Sequence, residues 1–168
     1  MTTALDLEIR SIRSADAPAI AAIDACHTGD AKRRWWRDVI ARHLGKGASR
    51  RVGLVAVGPR DRVVGYLFAQ VRAFEFGSGE CGWIYAVGVH PDRAREGVAR
   101  ALLAEARARL TERGVSVVRT MVRREDVPVL TFFRSQGFVA GPFVELELSL
   151  PAAAPVATRK RAREESRS

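Results

Sequence analysis

Residues 87–103 read VGVHPDRAREGVARALL, and this stretch decides the fold. It closes a run that is apolar at nearly every position, WIYAVGV over residues 83–89, as expected of a strand buried on both faces. After His90, Pro91 and Asp92 the period changes. Ala99, Leu102, Leu103, Ala106 and Leu110 recur at helical spacing, and Gly114 closes that helix. Residues 115–122 are again strand-like, so strand, helix and strand follow within one short segment. Such a unit implies a parallel pair joined by a crossover. Gly88 inside the first strand points to a bulge or to another backbone approaching closely.

Upstream, residues 5–13 alternate as a strand, with Leu5, Leu7 and Ile9 on one side. Ser14, Ala15 and Asp16 offer capping groups for a helix reaching about Cys26, with Ala19, Ile20 and Ile23 as its apolar stripe. A second helix runs through Trp35, Trp36, Val39, Ile40 and Leu44 and stops at Gly45. The apolar runs 52–57 and 63–71 form a hairpin joined by GPRDR. Downstream, residues 126–136 make a short helix that buries Val129, Phe132 and Phe133. FVELELSL, residues 143–150, alternates as a half-exposed last strand.

The chain has 168 residues, enough for one domain, expected over residues 1–150. Apolar residues make up 47% and charged residues 28%, a mix that excludes wholesale disorder. No apolar run is long enough to span a membrane, and MTTALDLEIR lacks the apolar core of a secretory signal. Cys26 and Cys81 have no CxxC spacing, and with three scattered histidines they supply no zinc site. A reducing cytoplasm is the expected location, and no metal is expected.

The net charge is +9. Residues 151–168, PAAAPVATRKRAREESRS, hold five basic and two acidic residues and almost nothing to bury, so a disordered basic tail is expected. It serves solubility or a weak hold on a polyanion, and nucleic acid is not the expected main partner. KRRWWR, residues 32–37, suits either base stacking or an amphipathic helix that buries its tryptophans. The charge of the body calls for another anionic partner.

The start of the helix after Asp92 supplies a place for one. Its first amides have no intrahelical acceptor, and the macrodipole adds about half a positive charge there. Gly97 lets a phosphate approach the backbone, Ala99 keeps the next turn small, and Arg93, Arg95 and Arg100 lie close in sequence. The same turn also suits a glycine that merely packs. No GKS or GKT follows, and GxGxxG is missing, so neither nucleotide-loop signature applies.

Val89, Pro91, Gly97 and Ala99 fit the pattern V-x-P-x-x-(Q/R)-x-x-G-x-(G/A), with Ala94 departing at the Q/R position. Asp126 to Phe138 resembles N-x-x-A-(I/L)-x-F-Y-x-x-x-G-F. Together these resemble the two motifs of the GNAT acetyltransferase superfamily, a likeness covering residues 7–150. It implies an α+β, mixed α/β fold: a central sheet splayed between two parallel strands and flanked by about four helices. It also implies acetyl-CoA as acyl donor and an amine as acceptor. Residues 95–99 (Arg95, Glu96, Gly97, Val98 and Ala99) with Arg100 would hold the diphosphate. Val87, Gly88 and Val89 would bind the pantetheine arm, one backbone N–H polarising the thioester carbonyl. Asp126 and Phe133 would line the thiol end. A homodimer is compatible with the resemblance.

Members of that superfamily often carry a tyrosine acid where this chain has Phe133, and a glutamate base where it has Trp83 or Met121. An alkylamine with a pKa near ~10.4 then pays roughly 4.6 kcal/mol to lose its proton at pH 7, whereas an arylamine is already neutral. The expected acceptor is a weakly basic or aromatic amine, attacked directly, unless water and an off-motif base serve. Glu80 and Tyr85 are the off-motif catalytic candidates, with His90 behind them. Cys26 and His27 are adjacent on a helix and point apart, which suits a core cysteine beside an exposed histidine better than a nucleophilic pair. Trp35 and Trp36 are candidates for an acceptor-pocket wall beside arginines. A catalytically weak acyl-CoA-binding sensor is the competing reading.

Overall fold

The computed structural model describes residues 6–73 and 77–150. Five strands form one sheet in the order β1-β2-β3-β4-β5: β1 Glu8–Ser11, β2 Arg51–Gly58, β3 Arg62–Arg72, β4 Cys81–Val89 and β5 Val118–Thr120. The first four are antiparallel neighbours, and β5 runs parallel to β4. Helices α1 (Ala17–Thr28) and α2 (Arg33–Leu44) follow β1, α3 (Val98–Glu112) crosses from β4 to β5, and α4 (Val127–Ser135) comes last. The predicted mixed α/β architecture and its parallel pair are present.

Period-two alternation divides the core between the two sheet faces. Val55, Val57, Tyr66 and Phe68 pack with Ile20, Ile23, Trp36, Val39 and Ile40 of α1 and α2. On the other face, Leu102, Leu103, Ala106 and Leu110 of α3 are buried. The glycines there set the approach of that helix. A Cβ on Gly65 would meet Val98 Cγ1 at 2.9 Å, and one on Gly82 would meet Leu110 Cδ1 at 2.6 Å.

The regular pairing of β3 with β4 breaks once. Phe68 faces Ala86 and Ala69 faces Ile84, which leaves Tyr85 as the extra residue of a bulge. The close approach at Gly88 is made by a side chain: a Cβ there would lie 2.7 Å from Cε1 and Cζ of Tyr66. The bulge therefore sits three residues before Gly88, and a buried ring, not a backbone, crowds the glycine itself.

Several expectations change. The strand predicted over 115–122 is formed only over Val118–Thr120. The hairpin linker contains a 3₁₀ turn, Pro59–Asp61, with Arg60 and Asp61 at positive φ. Trp36 is buried but Trp35 is 46% exposed, so the second helix hides one tryptophan of the two. Cys26 is exposed and Cys81 is the buried cysteine. In α4 Phe133 is buried, while Val129 and Phe132 are half-buried.

One compact unit ends at Gly137, and residues 138–150 lie in a second. Residues 138–150 carry no helix or strand, and Leu146, Leu148 and Leu150 are exposed. The strand expected over 143–150 is therefore not formed, since alternation says which faces a strand would have and does not by itself supply a pairing partner. The expected tail, 151–168, lies outside the described residues. Among the described residues no helix is long and apolar enough to cross a membrane.

Candidate active site

β4 and β5 are paired only through Gly82–Val118, Trp83–Arg119 and Ile84–Thr120. At the last rung the Thr120 hydroxyl donates to the Ile84 carbonyl at 3.0 Å. Past it the strands part, and a cleft of about 800 Å³ opens. Residues 84–87 of β4 form one wall and residues 120–123 the other, with Asp126, Val129 and Phe133 of the α4 region completing the latter. Asp24, Lys32, Trp35, Trp36 and Tyr66 line the remaining side.

The strand leads from this cleft to the start of α3. Gly97, at φ +87°, is the N-cap and provides no side chain to cap the helix. The first helical bond runs from Ala101 N–H to the Gly97 carbonyl at 3.0 Å, so the amides of Val98, Ala99 and Arg100 have no intrahelical acceptor. Arg95 also takes a positive φ, of 65°. Arg93 is paired with Glu96, whereas Arg95 and Arg100 are exposed and form no ion pair among the described residues. The carbonyl of Val89, expected to meet the pantetheine arm, already accepts a hydrogen bond from His27 Nε2 at 2.8 Å.

Asp126 lines the cleft and also caps α4, its Oδ1 accepting from Val129 N–H at 3.2 Å. Phe133 is buried in the cleft wall. Trp35 presents an open ring at the cleft, but Trp36 packs edge-on against Tyr66 at 5.0 Å and belongs to the core. Tyr85 lines the cleft at 36% exposure. Its fellow candidate Glu80 does not. Glu80 lies before β4, half exposed, with its carboxylate 2.6 Å from Arg50 Nη2. His90 lies outside the cleft as well, beside Arg62 at 3.0 Å. Trp83 is not part of the lining; Arg72 stacks over its ring at 5.1 Å.

Two residues of the site had no signal in the sequence. Asp24 is buried, and its Oδ2 accepts from Trp36 Nε1 at 3.1 Å and from Lys32 Nζ at 3.4 Å. His43 is buried behind Tyr85, with Nε2 3.1 Å from the phenolic oxygen. Neither residue belongs to a motif, and both reach the site only because α1 and α2 pack over the sheet. Burial pushes the Tyr85 hydroxyl up to about 12, against a partial lowering by Arg42 and Arg51. No group of three or more His, Cys, Asp or Glu that could hold a metal occurs among the described residues.

The model of the "Acetyltransferase (GNAT) family" matches residues 10–138. A mycothiol acetyltransferase of Arthrobacter sp. (strain FB24) is 28% identical over 85 residues, which is 51% of this chain and 26% of that protein. The chain thus matches about a quarter of the length of that curated relative. Among solved structures, the aminoglycoside N-acetyltransferase AAC(6')-Iy in complex with CoA superposes with a TM-score of 0.75 at 14% identity, covering 85% of this chain and 94% of that one. A protein described as a transcriptional regulator from Bacillus halodurans C-125 gives a TM-score of 0.73 at 17% identity, covering 86% and 99%. At these identities the structures establish a shared fold.

Proposed function

Because the chain belongs to the GNAT acetyltransferase family, we propose that it is an acetyl-CoA-dependent N-acetyltransferase acting directly on a primary amine of a small molecule. The observation that carries this reading is the parting of β4 and β5 after Ile84 and Thr120. It opens a slot between two parallel strands, and the backbone of Val87 has no β5 partner there. An extended amide-bearing arm can pair with that strand as a further strand would.

The diphosphate of the coenzyme would rest on the amides of Val98, Ala99 and Arg100, with Arg95 and Arg100 adding charge. Gly97 supplies the φ that turns these amides outward. Val87 and Gly88 would hold the pantetheine arm; Val89 would do so through its N–H side, since its carbonyl is taken by His27. Asp126 keeps α4 in place at the thiol end, and Phe133 walls it. The coenzyme supplies an activated thioester, and the chain supplies position.

Trp35 supports an aromatic acceptor, because its exposed ring offers a stacking surface at the cleft. An arylamine also reaches the cleft already neutral. The test is a turnover assay with acetyl-CoA and a panel of arylamines, alkylamines and an aminoglycoside, read by thiol release. Arylamines are expected to be acetylated fastest at neutral pH. Alkylamines reacting much faster would overturn the acceptor class. Coenzyme binding without transfer to any amine would favour a sensor, a reading that Phe133 in place of a tyrosine acid supports.

A further inference from the structure

The hydrogen-bond chain behind the cleft has a defined direction. The Val39 carbonyl lies 3.0 Å from His43 Nδ1, and a carbonyl can only accept, so Nδ1 carries the hydrogen. A neutral ring then has a bare Nε2. Tyr85 stands 3.1 Å from that nitrogen and must be the donor. A phenol has one proton, so the Tyr85 oxygen turns lone pairs, not a hydrogen, to the cleft.

We propose that His43 is the positioning residue for the acyl transfer inferred above, holding Tyr85 so that its oxygen receives the proton of the attacking amine. The inference rests on that functional reading. It also reverses the role a cleft tyrosine would have as donor to the departing sulfur.

The proton inventory closes without any further reactant. As the amine nitrogen bonds to the acyl carbon, its proton passes to the Tyr85 oxygen and the phenolic proton passes to His43 Nε2. The carbon–sulfur bond breaks, and the sulfur leaves as thiolate. The proton then returns from His43 through the Tyr85 oxygen to the sulfur, which restores both side chains and releases the thiol.

The surroundings suit this. Burial holds the His43 ring below the ordinary histidine range, helped by Arg42 and Arg51 and opposed by the carbonyls of Val39 and Ala69. The base is therefore free at neutral pH, and the Val39 carbonyl keeps its bond to Nδ1–H when Nε2 takes the proton. Tyr85, with its hydroxyl raised by burial, does not ionise by itself and can take a proton only by passing one on. The ring is fixed from several sides. It packs edge-on against Phe68 at 4.9 Å, and a Cβ on Gly53 would come within 3.3 Å of its Cδ2.

The test has two arms. Nitrogen-15 NMR of the wild-type protein reads the His43 tautomer without any amine; the expected result is protonated Nδ1 and bare Nε2. Steady-state kinetics of H43Q, Y85F and the double variant form the other arm. Glutamine can keep the hydrogen bonds but cannot take the proton. H43Q is expected to lose kcat on the order of a hundredfold with KM for acetyl-CoA unchanged, and to add nothing in the Y85F background. A hydrogen on Nε2, or losses that multiply in the double variant, would overturn the inference. A protonated Nδ1 in a protein that acetylates no amine overturns instead the reaction on which it rests.

Discussion

Thr120 donates its hydroxyl to the Ile84 carbonyl at the last rung joining β4 to β5. This bond marks where the cleft begins, and it ties the two walls together just before they separate. Replacing Thr120 by Val keeps the shape and removes the donor. The expected cost is about 1 kcal/mol, read as a lower urea midpoint with an unchanged slope. An unchanged midpoint would mean that the rung does not hold the walls.

Gly88 lies under Tyr66, whose ring is buried between α1, α2 and the sheet. A methyl group at 2.7 Å must displace that ring or the strand. G88A is expected to destabilise the protein by roughly 1–3 kcal/mol, as overpacking does. Thermal unfolding checks this, and a variant as stable as the parent would show that the ring yields freely.

Gly97 needs a backbone conformation that β-branched residues avoid, and its amide neighbours form the proposed diphosphate cradle. G97V is expected to weaken coenzyme A binding by tenfold or more. Calorimetry measures it, alongside an unfolding curve that separates lost binding from lost fold. Retained affinity would place the diphosphate elsewhere.

How much of this was legible in the sequence depends on the range of the interactions. The 83–89 strand and the helix from Val98 carry their own periodicity, so that unit and the glycine turn between them could be read directly. The 143–150 alternation does not become a strand, because a period of two says which faces a strand would have and not whether it pairs. Tyr85 could be named from its strand, but its partner could not. His43 lies 42 residues away. It meets Tyr85 only through the packing of α2 on the sheet, with Gly53 leaving space for the ring. Asp24 reaches the cleft through the same packing, and Glu80, next to β4 in sequence, is held outside the cleft by Arg50.

The pH dependence of stability follows from His43. Its folded pKa is below the unfolded value, so the unfolded chain binds the proton first as pH falls. Stability is therefore full above about pH 6.5 and declines from there until the folded ring also protonates. H43Q should flatten that decline. Asp16 adds a second loss at lower pH: its burial favours the neutral acid, but hydrogen bonds from Arg10 and the Arg13 amide outweigh it and hold the carboxyl below its usual range. Denaturant titrations at several pH values check both, and a parent curve that is level through the histidine range would contradict the first.

The central claim is that the slot between β4 and β5 and the bare amides of α3 receive an acyl-coenzyme A. Isothermal titration of the full chain with acetyl-CoA at low salt tests it most directly. One molecule bound per chain, with affinity lost in G97V, is the predicted result. No detectable heat with acetyl-CoA or coenzyme A would contradict the account.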